Sequence, residues 1–214
     1  MGIAERKLKE KEARRESIIN AAKKVFLERG FAGATIEAIA QEAELSPAAI
    51  YLYFMSKDEL YASLNLETAS SFERAVSTTA SLENLTPEQK LDRVWGAMYD
   101  IFCRDPLALR ALLHTHIEGA IPLLSDRLRS SLDESGKKAI DTLASIIRDG
   151  IDKGMFLPGH PMATADALWG LFTGLVVWEG AKRMHDNKKD YLKQTLQAGY
   201  EIFKRGLRRS ADAA

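Results

Sequence analysis

Between Thr35 and Leu60 the chain reads TIEAIAQEAELSPAAIYLYFMSKDEL, and nearly every helix boundary in those 26 residues is marked by a side chain suited to it. Thr35 can cap a first short helix, along which Ile36, Ile39, Ala40 and Ala43 recur at helical spacing, and Glu44-Leu45 then turns the chain. Ser46 supplies an oxygen for orphan backbone N–H groups. Pro47 follows at the first helical position, where its missing N–H and fixed φ cost nothing. Ile50 and Phe54 give this second helix its buried stripe. Ser56 and Glu59 then have the spacing of a reciprocal capping box, and Met55 and Leu60 that of a hydrophobic staple, so a third helix starts at about Lys57. A short helix held between two capped joints, with Ala40 small enough for close approach, presents its other side outward as a compact ridge. This is the pattern of a helix-turn-helix, and a ridge of that size fits a DNA major groove, which is about 12 Å wide.

The same stretch belongs to a longer pattern running from about Arg15 to Leu60. It comprises Ile18, Ala21, Ala22 and Phe26, then Gly30-Phe31, Thr35, Ile39-Ala40, Leu45-Ser46, Tyr51, Tyr53-Phe54, Lys57 and Leu60. In these residues and spacings the chain resembles the tetracycline-repressor (TetR) family of one-component transcriptional regulators. Taken position by position, the resemblance implies phosphate contacts from Thr35, Ser46, Tyr51 and Lys57, and base-edge or groove contacts from Pro47, Ala48, Ala49 and Leu52. Tyr53 is expected to divide its surface between the core and the DNA backbone. Two departures stand out. Glu44 occupies the place where the family usually has a glycine entering the turn with positive φ, a conformation that strains a residue bearing Cβ. The ridge of Pro47, Ala48, Ala49 and Leu52 also offers few hydrogen-bonding side chains, which leaves thymine-methyl contacts, backbone groups and DNA shape to carry much of the sequence preference.

Net charge is zero over 214 residues, which at first counts against a nucleic-acid partner. The distribution answers the objection. Residues 1–29 carry nine Lys/Arg (Arg6, Lys7, Lys9, Lys11, Arg14, Arg15, Lys23, Lys24, Arg29) against five Glu, whereas residues 30–60 carry one Lys against five acids. A reader of this kind would press the amino end of its first helix against the DNA backbone, while Glu37 and Glu44 weaken non-specific binding. The competing reading of Arg6 to Lys11 is a solvated helix face.

Strand signals are nearly absent and helical periods fill the remainder, so an all-α fold of about nine helices is expected. Residues 1–56 would form the DNA-binding domain and residues 57–214 an effector-binding and dimerisation domain. Helix four should run from Lys57 to about Thr79, helix five from the Thr86–Gln89 capping box to about Arg104, and helix six from Asp105-Pro106 to about Glu118. Gly119 and Pro122 break the chain before a long seventh helix that ends at Lys153-Gly154, with Gly136 a candidate interruption. Pro158 and Pro161 make the next joint. Helices from about Met162 to His185 and from Lys188 to Arg208 follow, and Ser210 to Ala214 are expected to be disordered.

Leu168 to Trp178 is apolar nearly all round, more than one neighbouring core can cover, so a second subunit is expected there. Gly170 and Gly174 would permit close approach, and Trp178, Leu196 and Phe203 would complete a four-helix interface about a two-fold axis, with a two-fold symmetric operator to match. Trp95, Met98, Tyr99, Phe102, His114, His116, Met155, Phe156, Trp169, Phe172 and Thr173 supply aromatic and aliphatic surface with a few polar tips, suited to a small apolar ligand; ordinary core packing is the alternative for each. The resemblance implies the same: a repressor released when an effector favours a conformer in which helix four swings and the two recognition helices change separation.

No nucleophile elbow, glycine-rich phosphate loop or zinc-binding helix motif occurs, and neither cofactor nor metal is expected. His114 and Glu118, four apart, could share a helix face, but no third ligand is placed beside them. An all-helical enzyme would need a convergent polar constellation, and a protein-binding adaptor would leave the Ser46 to Lys57 surface without a purpose. The single Cys103 excludes an intrachain disulfide, no export leader is visible, and the longest apolar run falls short of the ~20 residues that cross a bilayer, so a cytoplasmic protein without membrane contact is expected.

Overall fold

A computed structural model of the chain describes residues 2–117, 119–185 and 191–209. Among the described residues there are nine α-helices and one short 3-10 turn, Ile121–Leu123. The helices are α1 Ile3–Gly33, α2 Ile36–Glu42, α3 Pro47–Tyr51, α4 Lys57–Ala80, α5 Pro87–Arg104, α6 Pro106–Ile117, α7 Asp126–Asp152, α8 Pro161–His185 and α9 Leu192–Leu207. They group into two compact units, Met1–Ser71 with Asp100–Gly136, and Phe72–Tyr99 with Lys137–Ala214.

The first unit is built around Ile18, Ala22, Val25 and Phe26 of α1, Ile36, Ile39 and Ala40 of α2, Ile50 of α3, Phe54, and Leu60, Tyr61 and Leu64 of α4. Leu107 and Ala111 of α6 complete this cluster. Ala62, Leu124, Leu128 and Leu132 form a second, smaller one. In the second unit Trp95 stacks on Tyr200 and meets Phe172 edge-on, while Phe72 stacks on Trp169. The end of α9 is tied back to the chain after α7 by Leu157 N donating to Leu207 O and Arg209 N to Met155 O. Gly150 is required there, because a Cβ would lie 2.2 Å from the Phe156 ring.

Most helix ends fall where their side chains mark them. Thr86 and Gln89 close their capping box in both directions, with Gln89 N donating to Thr86 Oγ1 at 3.2 Å and Thr86 N to Gln89 Oε1 at 2.9 Å. Gly154 ends α7 with a φ of 68°. Gly136 does not interrupt α7: Leu132 and Ala139 on either side of it are buried, and tertiary packing outweighs a glycine cost of about 1 kcal/mol. Helix α9 begins at Leu192, four residues after the expected Lys188. Glu118, Lys188 and Ser210 to Ala214 lie outside the described residues.

Candidate nucleic-acid interface

The helix-turn-helix is assembled from local hydrogen bonds. Ala38 N donates to Thr35 Oγ1 at 3.2 Å and Ala49 N to Ser46 Oγ at 3.2 Å, so both hydroxyls satisfy the orphan donors their positions suggested. Between the two helices Leu45 N donates to Ala40 O at 2.8 Å and Glu44 N to Gln41 O at 3.2 Å. This is a Schellman ending, with Glu44 at the left-handed position usually held by glycine and a φ of 55°. At the next joint Glu59 N donates to Ser56 Oγ at 3.0 Å, as a capping box requires. The Glu59 carboxylate, however, accepts from Met55 N, one residue earlier than expected, and also from Ser125 Oγ. Met55 is exposed while Leu60 is fully buried, so no hydrophobic staple forms: the carboxylate holds Met55 by its backbone instead.

With Ile50 and Phe54 anchored inside, α3 turns its other side to solvent. Leu52 is 78% exposed and Tyr51 56%. Thr35, Ser46, Pro47 and Ala48 are also exposed, and Ala49 and Tyr53 are half-buried. Lys57 is placed differently from a simple surface cation. Its ammonium donates to Phe31 O at 2.8 Å and Ala34 O at 3.0 Å and lies 4.3 Å from the centroid of the Phe31 ring, so two of its three donors close the end of α1.

The sequence profile of bacterial regulatory proteins, tetR family, matches residues 18–64, which is the segment that builds this surface. The HTH-type transcriptional repressor NicS of Pseudomonas putida is 33% identical over 66% of this chain and 65% of its own length, so the alignment spans just under two thirds of that relative. The chain belongs to the tetR family. Solved structures of the family share the fold: the regulator PfmR of Thermus thermophilus superposes with a TM-score of 0.69 at 22% identity, covering 90% of this chain and 99% of that one. FadR of Bacillus subtilis, crystallised with stearoyl-CoA, gives 0.66 at 23% identity over 89% and 98%. Family members of this kind regulate transcription by binding DNA and are not enzymes.

The tetR-family reading head of this chain is braced by residues that its sequence motifs do not reveal. Arg15 of α1 donates to Ser63 Oγ at 3.1 Å, and its guanidinium carbon lies 4.9 Å from the Phe54 ring centroid. Burial, with Arg127 nearby, holds the Arg15 pKa below the ordinary arginine value. Lys23 pairs with Asp105 at 2.8 Å at the start of α6. Further along α6, His114 Nε2 lies 3.0 Å from Asp58 Oδ1, with its ring against Phe31 and Tyr61 at centroid distances of 4.0 and 5.4 Å. These partners are 82 and 56 residues apart in the chain, and no local pattern could have joined them. Among the described residues no His, Cys, Asp and Glu group is placed to hold a metal ion.

The remaining candidate residues fall in both units. Trp95, Met98 and Phe172 are buried in the second unit and Tyr99, Trp169 and Thr173 are half-buried there; Thr173 Oγ1 donates to Trp169 O at 3.0 Å. Phe102 and His114 belong to the first unit. On α8, Gly170, Gly174 and Trp178 are exposed, Trp178 by 61%. Leu196 is 2% exposed and fills the second unit's own interior, while half-buried Phe203 and exposed Ile202 lie further along α9. Leu196, expected at a subunit contact, is thus covered by its own chain, whereas Trp178, Val177 and Ile202 are exposed apolar side chains.

Proposed function

We propose that the chain is a cytoplasmic homodimeric repressor that reads a two-fold symmetric operator with α3 and is released by a small, largely apolar effector. Residues 1–56 act as the reading head, and residues 57–214 carry the effector and dimer contacts. One observation supports the DNA reading above the others: Tyr51 and Leu52 project from a helix whose opposite side is locked by Ile50, Phe54 and the Ser46 cap. Thr35, Ser46, Tyr51 and Lys57 contact phosphates, Lys57 through its one remaining donor, and Pro47, Ala48, Ala49 and Leu52 face the bases, with Tyr53 between core and backbone. The exposed Val177, Trp178 and Ile202, with the glycines at 170 and 174, support a subunit contact through α8 and α9.

The effector would sit among Trp95, Met98, Tyr99, Trp169, Phe172 and Thr173, whose aromatic surface suits an acyl or aryl group. The stearoyl-CoA in the similar FadR structure makes a long acyl thioester the first ligand class to try. Anisotropy titration of the full chain against the DNA flanking its own gene, across salt and then with added ligand, tests the reading. Specific binding that weakens steeply with salt, and release by an apolar ligand, are expected. Equal affinity for operator and scrambled duplex would refute it.

A further inference from the structure

Helix α4 buries an amide that no described residue meets. Asparagine is a poor choice for the inner side of a helix, because its side chain brings two N–H donors and a carbonyl acceptor that need partners once water is excluded. Asn65 is 5% exposed and makes no hydrogen bond among the described residues. The other buried polar side chains of the first unit, Glu59, Ser63 and Thr115, all make one. Every side-chain nitrogen and oxygen sealed from solvent among the described residues has a partner. The Asn65 amide has none, so it opens onto space that a water-sized group can enter.

The helix sets this amide on a seam. At about 100° per residue, Tyr61 and Leu64 fall to one side of Asn65, and Ala62, Leu66 and Ala69 to the other. The first two belong to the reading head's cluster, whereas the other three pack with Leu124, Leu128 and Leu132 at the start of α7. Asp58 lies seven residues earlier on the same line of the helix, and there His114 Nε2 closes the seam at 3.0 Å. At Asn65 no side chain closes it. Its neighbours one turn away toward α7, Ala62 and Ala69, end at Cβ.

The surroundings select the ligand. Leucine, alanine and tyrosine side chains suit an apolar body. The nearest charges along α4 are already engaged, Asp58 by His114 and Glu59 by Met55 N and Ser125 Oγ. An ion entering here would leave water for an uncharged amide, with no counter-charge to offset its desolvation. An amide donates and accepts at once, and its best complement is another group that does both.

We propose that Asn65 anchors a small-molecule site between α4 and the start of α7, whose ligand is an uncharged, mainly apolar molecule carrying an amide-like donor and acceptor pair. The site lies within the first unit, apart from the effector residues proposed for the second, and its test needs no operator.

The full chain labelled with 15N-asparagine supplies the readout, the Asn65 side-chain amide signals, assigned by their loss in Asn65→Leu. Cyclohexanecarboxamide, cyclohexanecarboxylate and cyclohexylmethylammonium share one apolar ring and differ in the polar end. The carboxamide should shift the Asn65 signals saturably and bind about 3–10-fold more weakly to Asn65→Leu, while the two ions leave those signals in place. Ala69→Leu, which keeps the amide and fills space beside it, should weaken the carboxamide as well. Asn65→Leu should raise Tm by about 2–4 °C, because it exchanges an unmet buried amide for an apolar side chain of similar size. A lower Tm, or failure to fold, would make Asn65 a structural residue and overturn the proposal. Equal carboxamide binding by wild type and Asn65→Leu, preference for either ion, or no shift with any of the three, as expected of a position that holds water only, would overturn it too. Failure to select an operator would overturn the repressor reading and leave this site standing.

Discussion

Replacing Glu44 by glycine should make the protein more stable, although it deletes a side chain and adds backbone freedom. Glu44 is, among the described residues, the non-glycine held at positive φ, 55°, and it is exposed. A residue with Cβ in the left-handed region costs about 1–2 kcal/mol, which glycine does not incur. Against this, glycine gains unfolded-state freedom worth roughly 0.5–1 kcal/mol. The net expectation is a stabilisation of about 0.5–1 kcal/mol, and for a chain of this size a rise in Tm of about 1–4 °C. Thermal and urea unfolding of wild type, Glu44→Gly, Glu44→Ala and Glu44→Gln measure it. Alanine keeps the Cβ and glutamine keeps both the Cβ and the length, so neither should gain. Any change in DNA affinity shared by glutamine and glycine reports loss of the carboxylate, whereas a change in stability unique to glycine reports the backbone. If Glu44→Gly is no more stable than Glu44→Ala, the strain argument is wrong.

Ser46→Ala removes the cap that receives Ala49 N and should cost about 1 kcal/mol, read as a lower urea midpoint with unchanged m. Lys57→Ala deletes two bonds to the carbonyls of Phe31 and Ala34 and should destabilise by about 1–3 kcal/mol. Its salt slope should fall by about one only if the third donor meets a phosphate, and an unchanged slope removes Lys57 from the contacts. Tyr200→Phe removes the hydroxyl that donates to Asp92 at 2.8 Å and should cost about 1–2 kcal/mol at neutral pH. Burial, then Asp92, raises the Tyr200 pKa above the ordinary value of 10.0, so its contribution is complete below that value and lost as pH rises beyond it. The difference between wild type and Tyr200→Phe should therefore shrink in melts above pH 10. Trp178→Glu should convert a dimer to a 23.8 kDa monomer by sedimentation, and a persistent dimer would move the interface away from α8.

The capped helix starts were legible because capping is local: Thr35, Ser46, Ser56 and Thr86 each meet a backbone N–H three residues on. The strained turn at Glu44 was legible for the same reason, as an exception to a positional rule. What the sequence concealed lies across long separations. Lys57, the first residue of α4 and exposed by any pattern, bends back to carbonyls 26 and 23 residues away. Glu59 looked like a cap for its own helix and also reaches Ser125. The apolar run on α8 announced excess hydrophobic surface, but periodicity could not tell that Leu196 on α9 would be covered by its own chain.

The central claim is that α3 is a sequence reader used in pairs. Selection of bound duplexes from a random pool, followed by footprinting with the stoichiometry measured, addresses it directly. The account predicts one enriched site made of two inverted half-sites, centred a whole number of helical turns apart and occupied by two protomers. Enrichment of no sequence, or of a single asymmetric site held by one protomer, would contradict it.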